Sequence, residues 1–255
     1  MRSIFKLVVA DILKNRVVLV YTLLISALSW STFALEDNSS KGLLSLMNII
    51  LLVVPLVSVI FSTIYNYNNT EFIELLLSQP IARKIIWRSL FSGLSASLML
   101  AFIVGAGIPL LIFTPPLLAC TMIFAGMLLT LVFVALAFLS CSLSRDKAKG
   151  IGITIVLWLF YSVLFDGLIL FLTFQFADYP IEKMMIGVSM LNPVDTARIL
   201  ILLQLDISAL MGYTGAVFRE FFGTTGGILL SVCSMLLWVW LPYYLSLRRF
   251  SKKDL

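Results

Sequence analysis

Residues 70–90 read Thr-Glu-Phe-Ile-Glu-Leu-Leu-Leu-Ser-Gln-Pro-Ile-Ala-Arg-Lys-Ile-Ile-Trp-Arg-Ser-Leu. On a helix, Glu71, Glu74 and Ser78 share one face and Phe72, Ile73, Leu76 and Leu77 the other. This is the longest charged interruption in the first two thirds of an oily chain, so it divides the apolar runs before it from those after it. A helix with two such faces between membrane crossings is either a float on the lipid surface or a peg for a soluble partner.

Outward from this stretch the chain is apolar. Of its 255 residues 61% are hydrophobic and 12% charged, against about 25% charged in a soluble domain. Two runs precede the stretch. Val17–Leu35 carries no charge and is long enough to cross about 30 Å of hydrocarbon. Leu43–Ile64 is the second run, with Pro55 expected to kink it. After the stretch, residues 89–144 carry no charge, which suits two crossings (89–113 and 117–143) folded back at Thr114-Pro115-Pro116. A fifth crossing over 150–176 and a sixth over 224–247 follow, separated by an external segment, 177–222. The expected fold is therefore an all-α polytopic membrane protein, one domain over 1–255 with six transmembrane helices.

Residues 2–14 place Ile4, Phe5, Val8, Val9 and Ile12 on one face and Arg2, Lys6 and Lys14 on the other. That pattern fits an N-terminal interfacial helix in the headgroup plane; the alternative is a cytosolic extension of the first span. Asp11 and Lys14 break the first apolar run, and no cleavage site follows, so no cleavable signal is expected.

The basic residues fix the expected orientation. Arg2, Lys6, Lys14, Arg16, Arg83, Lys84, Arg88, Arg145, Lys147, Lys149, Arg248, Arg249, Lys252 and Lys253 fall on one side of six spans. Lys41, Lys183, Arg198 and Arg219 fall on the other, 14 against 4. Positive charge stays in the cytoplasm, which puts both termini and residues 70–90 inside. The net charge of +5 is thereby used for membrane orientation, and no nucleic-acid partner is expected. An internal 70–90 stretch favours the peg.

Catalysis on this chain is not expected. Without histidine there is no His-based triad, relay or haem or zinc ligand. No stretch matches a phosphate-binding loop, and Gly150-Ile151-Gly152 lacks the third glycine of a dinucleotide fingerprint. The three cysteines, Cys120, Cys141 and Cys233, sit in apolar runs as expected buried free thiols. The ten methionines are spaced irregularly, which favours packing over copper. No metal site and no cofactor are expected on the chain itself.

Asp166 is the one ionisable residue well inside a span, where a charge costs about 2.5–3.5 kcal/mol on insertion scales. Two readings stand: a group facing a translocation path or forming a proton or cation site, or a hydrated or paired acid near the outer end of the fifth span that caps or orients the helix. Thr22, Ser26 and Ser29 on the first span, and Ser58 and Ser62 on the second, either line a path or bond their own helix backbone. Gly93, Ser97, Ala101 and Gly105 recur every fourth residue and let another helix approach closely, from the same chain or from a second copy. In the external segment Asn192-Pro193-Val194-Asp195 reads as a helix start with Asn as N-cap and Pro at the first helical position. That helix is expected to run through 197–205, with a second at Val217–Phe222.

Ile73-Glu74-Leu75-Leu76-Leu77-Ser78-Gln79-Pro80-Ile81-Ala82-Arg83 resembles a cytoplasmic segment of the ABC-2 class of ABC-transporter permeases, T-L-E-L-L-L-S-x-P-hydrophobic-small-R. The order of helices resembles that class over essentially the whole chain. Where the family often has Gly-Thr ahead of the run, this chain has Glu71-Phe72. The resemblance implies a permease subunit of the bacterial inner membrane with no ATPase motif of its own, working as a homodimer with a separate ABC ATPase that holds the ATP and magnesium. It implies a coupling helix carried by Glu71, Phe72, Ile73, Glu74, Leu75, Leu76 and Ser78, with Phe72, Leu75 and Leu76 filling a groove on the ATPase.

Leu191-Asn192-Pro193-Val194-Asp195-Thr196-Ala197-Arg198 and Met211-Gly212-Tyr213-Thr214-Gly215-Ala216-Val217 are similar to the NosY branch of the class. That branch implies a NosF-like ATPase, a NosD-like periplasmic β-helical protein, and a part in assembling the copper-sulfur centre of nitrous oxide reductase. Asn192, Pro193, Asp195 and Arg198 would then meet the periplasmic partner. Two alternatives are a membrane scaffold that transmits ATP-driven motion without cargo of its own, and an ABC-2 exporter of lipid or drug-like cargo.

Overall fold

The structure, a computed structural model, describes residues 2–35, 39–144, 146–176, 187–203 and 225–252. The expected helix at 217–222, the 211–217 motif, and the outer basic residues Lys183 and Arg219 lie outside the described residues.

Among the described residues all regular structure is helical. A short α1 (Arg2–Leu13) precedes α2 (Arg16–Leu35) and α3 (Ser39–Asn68). The short α4 (Thr70–Leu77) leads to α5 (Arg83–Phe102), which passes through a π-helical turn (Ile103–Gly107) into α6 (Ile108–Phe113). Next come α7 (Pro116–Leu143) and α8 (Lys147–Leu159), the latter running through a second π turn (Phe160–Leu164) into α9 (Phe165–Gln175). The described chain closes with α10 (Pro193–Leu202) and α11 (Thr225–Lys252).

Six of these units are long and apolar enough to cross a membrane: α2, α3, α5–α6, α7, α8–α9 and α11. At 1.5 Å per residue the 30 residues of α3 reach about 45 Å, more than the hydrocarbon needs. Its last turn therefore carries Tyr65, Asn66, Tyr67 and Asn68 beyond the apolar window, and the helix continues unbroken through Pro55.

The centre is α7. It has no charged residue, and 72% of its most apolar stretch is buried, against 6% for α8–α9 and 17% for α11. Its neighbours are α3, α11, α5 and α10, and Phe133, Phe138 and Leu129 fill the space among them. The outside is oily: Leu23, Val156, Phe171 and Phe174 are all exposed. In water such a surface would aggregate, whereas in lipid it has no cost.

The small-residue face of the third span packs within the chain. A Cβ on Gly93 would stand 2.7 Å from Val8 Cγ1 of α1, and one on Gly105 would run into Ile25 of α2. This close approach lets α1 bury Val8 and Ile12 against α5 while Lys6 and Lys14 stay exposed. Tyr65 on α3 completes the seat by donating to Asp11 Oδ2 at 3.1 Å. One expectation is corrected: only Cys141 is buried, while Cys120 and Cys233 lie on the outer surface of their helices, where lipid rather than core surrounds the thiol.

Candidate functional site

Two places collect polar groups, one at each end of the bundle. At the first, α4 follows α3 after a single residue, and its amphipathic period decides how it lies. Ile73 and Leu76 are buried against the chain's own core, and Phe72 and Leu77 are packed partly against it. Glu71, Glu74, Leu75 and Ser78 remain exposed, Leu75 at 58%. The sequence-based coupling set is therefore split. Leu76, expected to fill a groove on a partner, faces inward because it shares the apolar stripe with Ile73. Leu75, one residue earlier, is the large apolar side chain that α4 offers outward.

Beneath α4 lies a cleft of about 320 Å³, lined among others by Asn66, Tyr67, Ile73, Glu74, Trp87 and Phe250. Its walls are fixed by bonds between helices. Tyr67 Oη donates to the Ser144 carbonyl at 3.0 Å, and Lys147 Nζ donates to Asn68 Oδ1 at 2.8 Å, which ties α3 to the start of α8. Asp146 caps α8 by accepting from the Ala148 N–H at 3.0 Å. Trp87 Nε1 donates to Ser246 Oγ at 2.9 Å, and its ring stacks on Phe250 at 4.1 Å, which ties α5 to α11.

From this cleft a polar file runs into the bundle along α3. Asn66, Ser62 and Ser58 are spaced four residues apart, so they lie on one face. All three are buried, and Ser58 Oγ, Ser62 Oγ and Asn66 Oδ1 have no partner among the described residues. The first span behaves differently. Thr22 Oγ1 donates to the Val18 carbonyl at 2.8 Å and Ser29 Oγ to that of Ile25 at 2.7 Å, satisfying themselves on their own helix, and Ser26 is half-buried. The two stripes that read alike in sequence are thus different in kind.

The second place is at the other end, where α10 enters the bundle. With 10 residues, about 15 Å, it cannot span a bilayer. It lies against α7, α11, α3 and the second π turn. Asn192 starts it as the sequence foretells, accepting from the Val194 N–H at 2.9 Å with Pro193 next. Its amide does a second job. In the π turn the Phe165 N–H reaches back five residues to the Phe160 carbonyl, leaving the Tyr161 carbonyl without its usual donor. Asn192 Nδ2 supplies one at 2.9 Å. The Met190 carbonyl accepts from Ser234 Oγ and Trp238 Nε1, at 3.2 and 3.3 Å, which holds the approach to α10 against α11.

Arg198 then joins α10 to α9. Its NH1 and NH2 nitrogens donate to Asp166 Oδ1 and Oδ2 at 3.1 and 2.9 Å, and NH1 also donates to Asp195 Oδ1 at 2.8 Å. Asp166 is thus paired with Arg198, and its side chain is one third exposed. Asn192, Pro193 and Asp195, expected at an outer partner surface, are buried inside the chain, and Arg198 is half-buried. Burial pushes the Asp195 carboxyl up to about 7; the Arg198 guanidinium opposes the rise and the Asp166 carboxylate adds to it. Burial works against the charge on Arg198, but the two carboxylates, Asp166 foremost, outweigh it and raise its pKa.

Sequence reasoning missed both π turns, the Asn66 amide, whose nitrogen donates to the Ser62 carbonyl while its oxygen has no partner among the described residues, and the Asp166–Arg198 pair. Only Gly105 and Gly107 in the first π turn left any local mark.

Residues 49–255 match the family model for the ABC-2 family transporter protein. The chain belongs to the ABC-2 family. It is also 26% identical over 224 residues to a Pseudomonas aeruginosa protein described as a probable ABC transporter permease protein NosY, a match covering 80% of this chain and 82% of that one. An ABC-2 permease is the membrane subunit of an ABC transporter, and its family implies an ABC ATPase as partner. The match takes in α4, the polar file and the α9–α10 junction, while α1 and α2 precede it.

Proposed function

We propose that α4 is the element through which this ABC-2 permease receives work from its ATPase. The observation that carries the reading is the division of α4. Ile73 and Leu76 lock it to the bundle, so a push on it moves α3 and α5, while Glu71, Glu74, Leu75 and Ser78 face outward as a compact acidic and apolar patch. The basic-residue count supports a cytoplasmic position for this patch and both termini. Two copies of the chain would work with two ATPases. Asn66, Ser62 and Ser58 line the cytoplasmic part of the path, hydrated because their buried polar atoms need partners that the described residues do not supply.

The likeness to NosY extends the proposal to a NosF-like ATPase, a NosD-like periplasmic β-helical protein, and delivery of material for the copper-sulfur centre of nitrous oxide reductase. The buried Asn192 and Asp195 then seat α10, and partner contact falls to the exposed Leu191 at its entry. The test is co-purification of tagged permease with its cognate ATPase. Glu71→Lys with Glu74→Lys is expected to abolish capture while the permease still inserts and folds; undiminished capture would overturn the coupling assignment.

A further inference from the structure

The Asp166–Arg198–Asp195 cluster is left unexplained by coupling to an ATPase. Two carboxylates share one guanidinium, both with an oxygen within 3.1 Å of the same NH1 nitrogen. Asp166 receives two of the three bonds and Asp195 one. The second oxygen of Asp195, Oδ2, is sealed from solvent and has no donor among the described residues, in a residue only 4% exposed. An ionised carboxylate with a bare oxygen in such a place is costly. Among the described residues no further charge relieves it. Of the elements packed on α10, α7 has no acidic or basic residue and α3 has only the exposed Lys41. Arg248, Arg249 and Lys252 of α11 lie about four to five turns beyond Ser234. The π turn faces Asn192 with the Tyr161 carbonyl rather than its hydroxyl.

We propose that this cluster is a proton-binding site, holding one proton between the carboxylates of Asp195 and Asp166 while Arg198 neutralises the remaining charge. Binding takes a proton from water and places it on Asp195, with Asp166 as the acceptor beside it; no bond but the O–H is made. The partly open Asp166 side chain gives the proton its way in. Occupied, the cluster is neutral and α10 is held to α9. Emptied, it carries one net negative charge, and the two acids repel across the α9–α10 junction.

Infrared difference spectroscopy of the full chain in lipid nanodiscs tests this, by the carbonyl stretch of a protonated carboxylic acid as pH is lowered from about 9 to about 5. The wild type is expected to gain such a band with a midpoint near neutrality, Asp195→Asn to lose it, and Asp166→Asn to move its midpoint down by about one unit or more. Glu71→Gln, on exposed α4, is the control and keeps the band. A wild type without a band titrating near neutrality overturns the site whatever the variants do, and so does a band left unchanged by both aspartate substitutions.

Discussion

Tyr67 on α3 occupies the space that a side chain at Gly150 on α8 would need. A Cβ at Gly150 would meet the phenol ring and its oxygen, and that oxygen is held in place by its bond to the Ser144 carbonyl. The phenol is therefore not free to swing aside. Gly150→Ala is expected to destabilise the folded chain by about 1–3 kcal/mol, the range for overpacking a filled site. Adding Tyr67→Ala should recover part of the loss, since the two changes act on one space. Thermal unfolding in detergent reads this directly: a Gly150→Ala protein that melts with the wild type would show that the helices do not meet there.

The division of α4 predicts opposite outcomes for adjacent leucines. Leu75→Lys places a charge on a side chain already exposed and is expected to leave the melting temperature nearly unchanged while reducing ATPase capture by about tenfold or more, the effect of losing a contact worth about 1.4 kcal/mol. Leu76→Lys buries a charge among core residues and is expected to lower stability by several kcal/mol, with capture lost only as the chain unfolds. Size-exclusion profiles alongside capture separate the two. If Leu76→Lys left the chain folded and Leu75→Lys did not, α4 would be turned the other way.

The file on α3 predicts where aqueous reagents go. With the native cysteines replaced, Ser62→Cys is expected to react with a small charged thiosulfonate reagent, because Ser62 lies one turn from the cleft-lining Asn66. Leu94→Cys, equally buried but among apolar neighbours on α5, is expected not to react. Inside-out vesicles should label and right-side-out vesicles should not, which also tests the orientation taken from the basic residues. Equal protection of both cysteines would mean that the file is dry.

Much of this arrangement was legible from local pattern. The apolar stripe of α4, the start of α10 at Asn192-Pro193 and the six apolar runs each depend on residues a few positions apart. What stayed hidden depends on distant partners. Periodicity gave the two faces of α4 but not that Leu76 faces the bundle. Thr22 and Ser62 both read as hydroxyls on an apolar helix, yet Thr22 bonds its own backbone and Ser62 does not. Asp166 finds Arg198 32 residues later in sequence, a pairing that no spacing rule supplies. The π turn at Phe160–Leu164 contains no glycine or proline to announce it, and its meaning emerges only when Asn192 is seen on the Tyr161 carbonyl.

The raised pKa of Asp195 makes stability depend on pH with a definite sign. Its folded value of about 7 lies above the ordinary 3.8, so between these the folded chain keeps a proton that the unfolded chain releases. The contribution is complete below the ordinary value and is lost as pH rises through the folded one. The thermal midpoint of the wild type is therefore expected to fall between about pH 5 and about pH 8, and Asp195→Asn, neutral throughout, is expected to remove this slope. A wild-type midpoint that rises over this interval and does so equally in Asp195→Asn would place the pH response in other groups.

Asn192 does two jobs that substitution can separate. Its side-chain oxygen caps α10 through the Val194 N–H, and its nitrogen closes the carbonyl that the π turn leaves open at Tyr161. Serine keeps a capping oxygen but has no amide to reach Tyr161; alanine has neither. Asn192→Ser is therefore expected to cost about 1 kcal/mol or somewhat more, the low end of the penalty for a carbonyl left without a donor, since this one is only partly buried. Asn192→Ala adds about 1 kcal/mol for the lost cap. Hydrogen exchange locates the damage: both variants should speed exchange at the Phe165 and Asp166 amides, on the far side of the contact, and only alanine should speed it at Val194. If serine matched the wild type at Phe165, the π turn would hold its own geometry, and α10 would be a passenger on the fifth span rather than its brace.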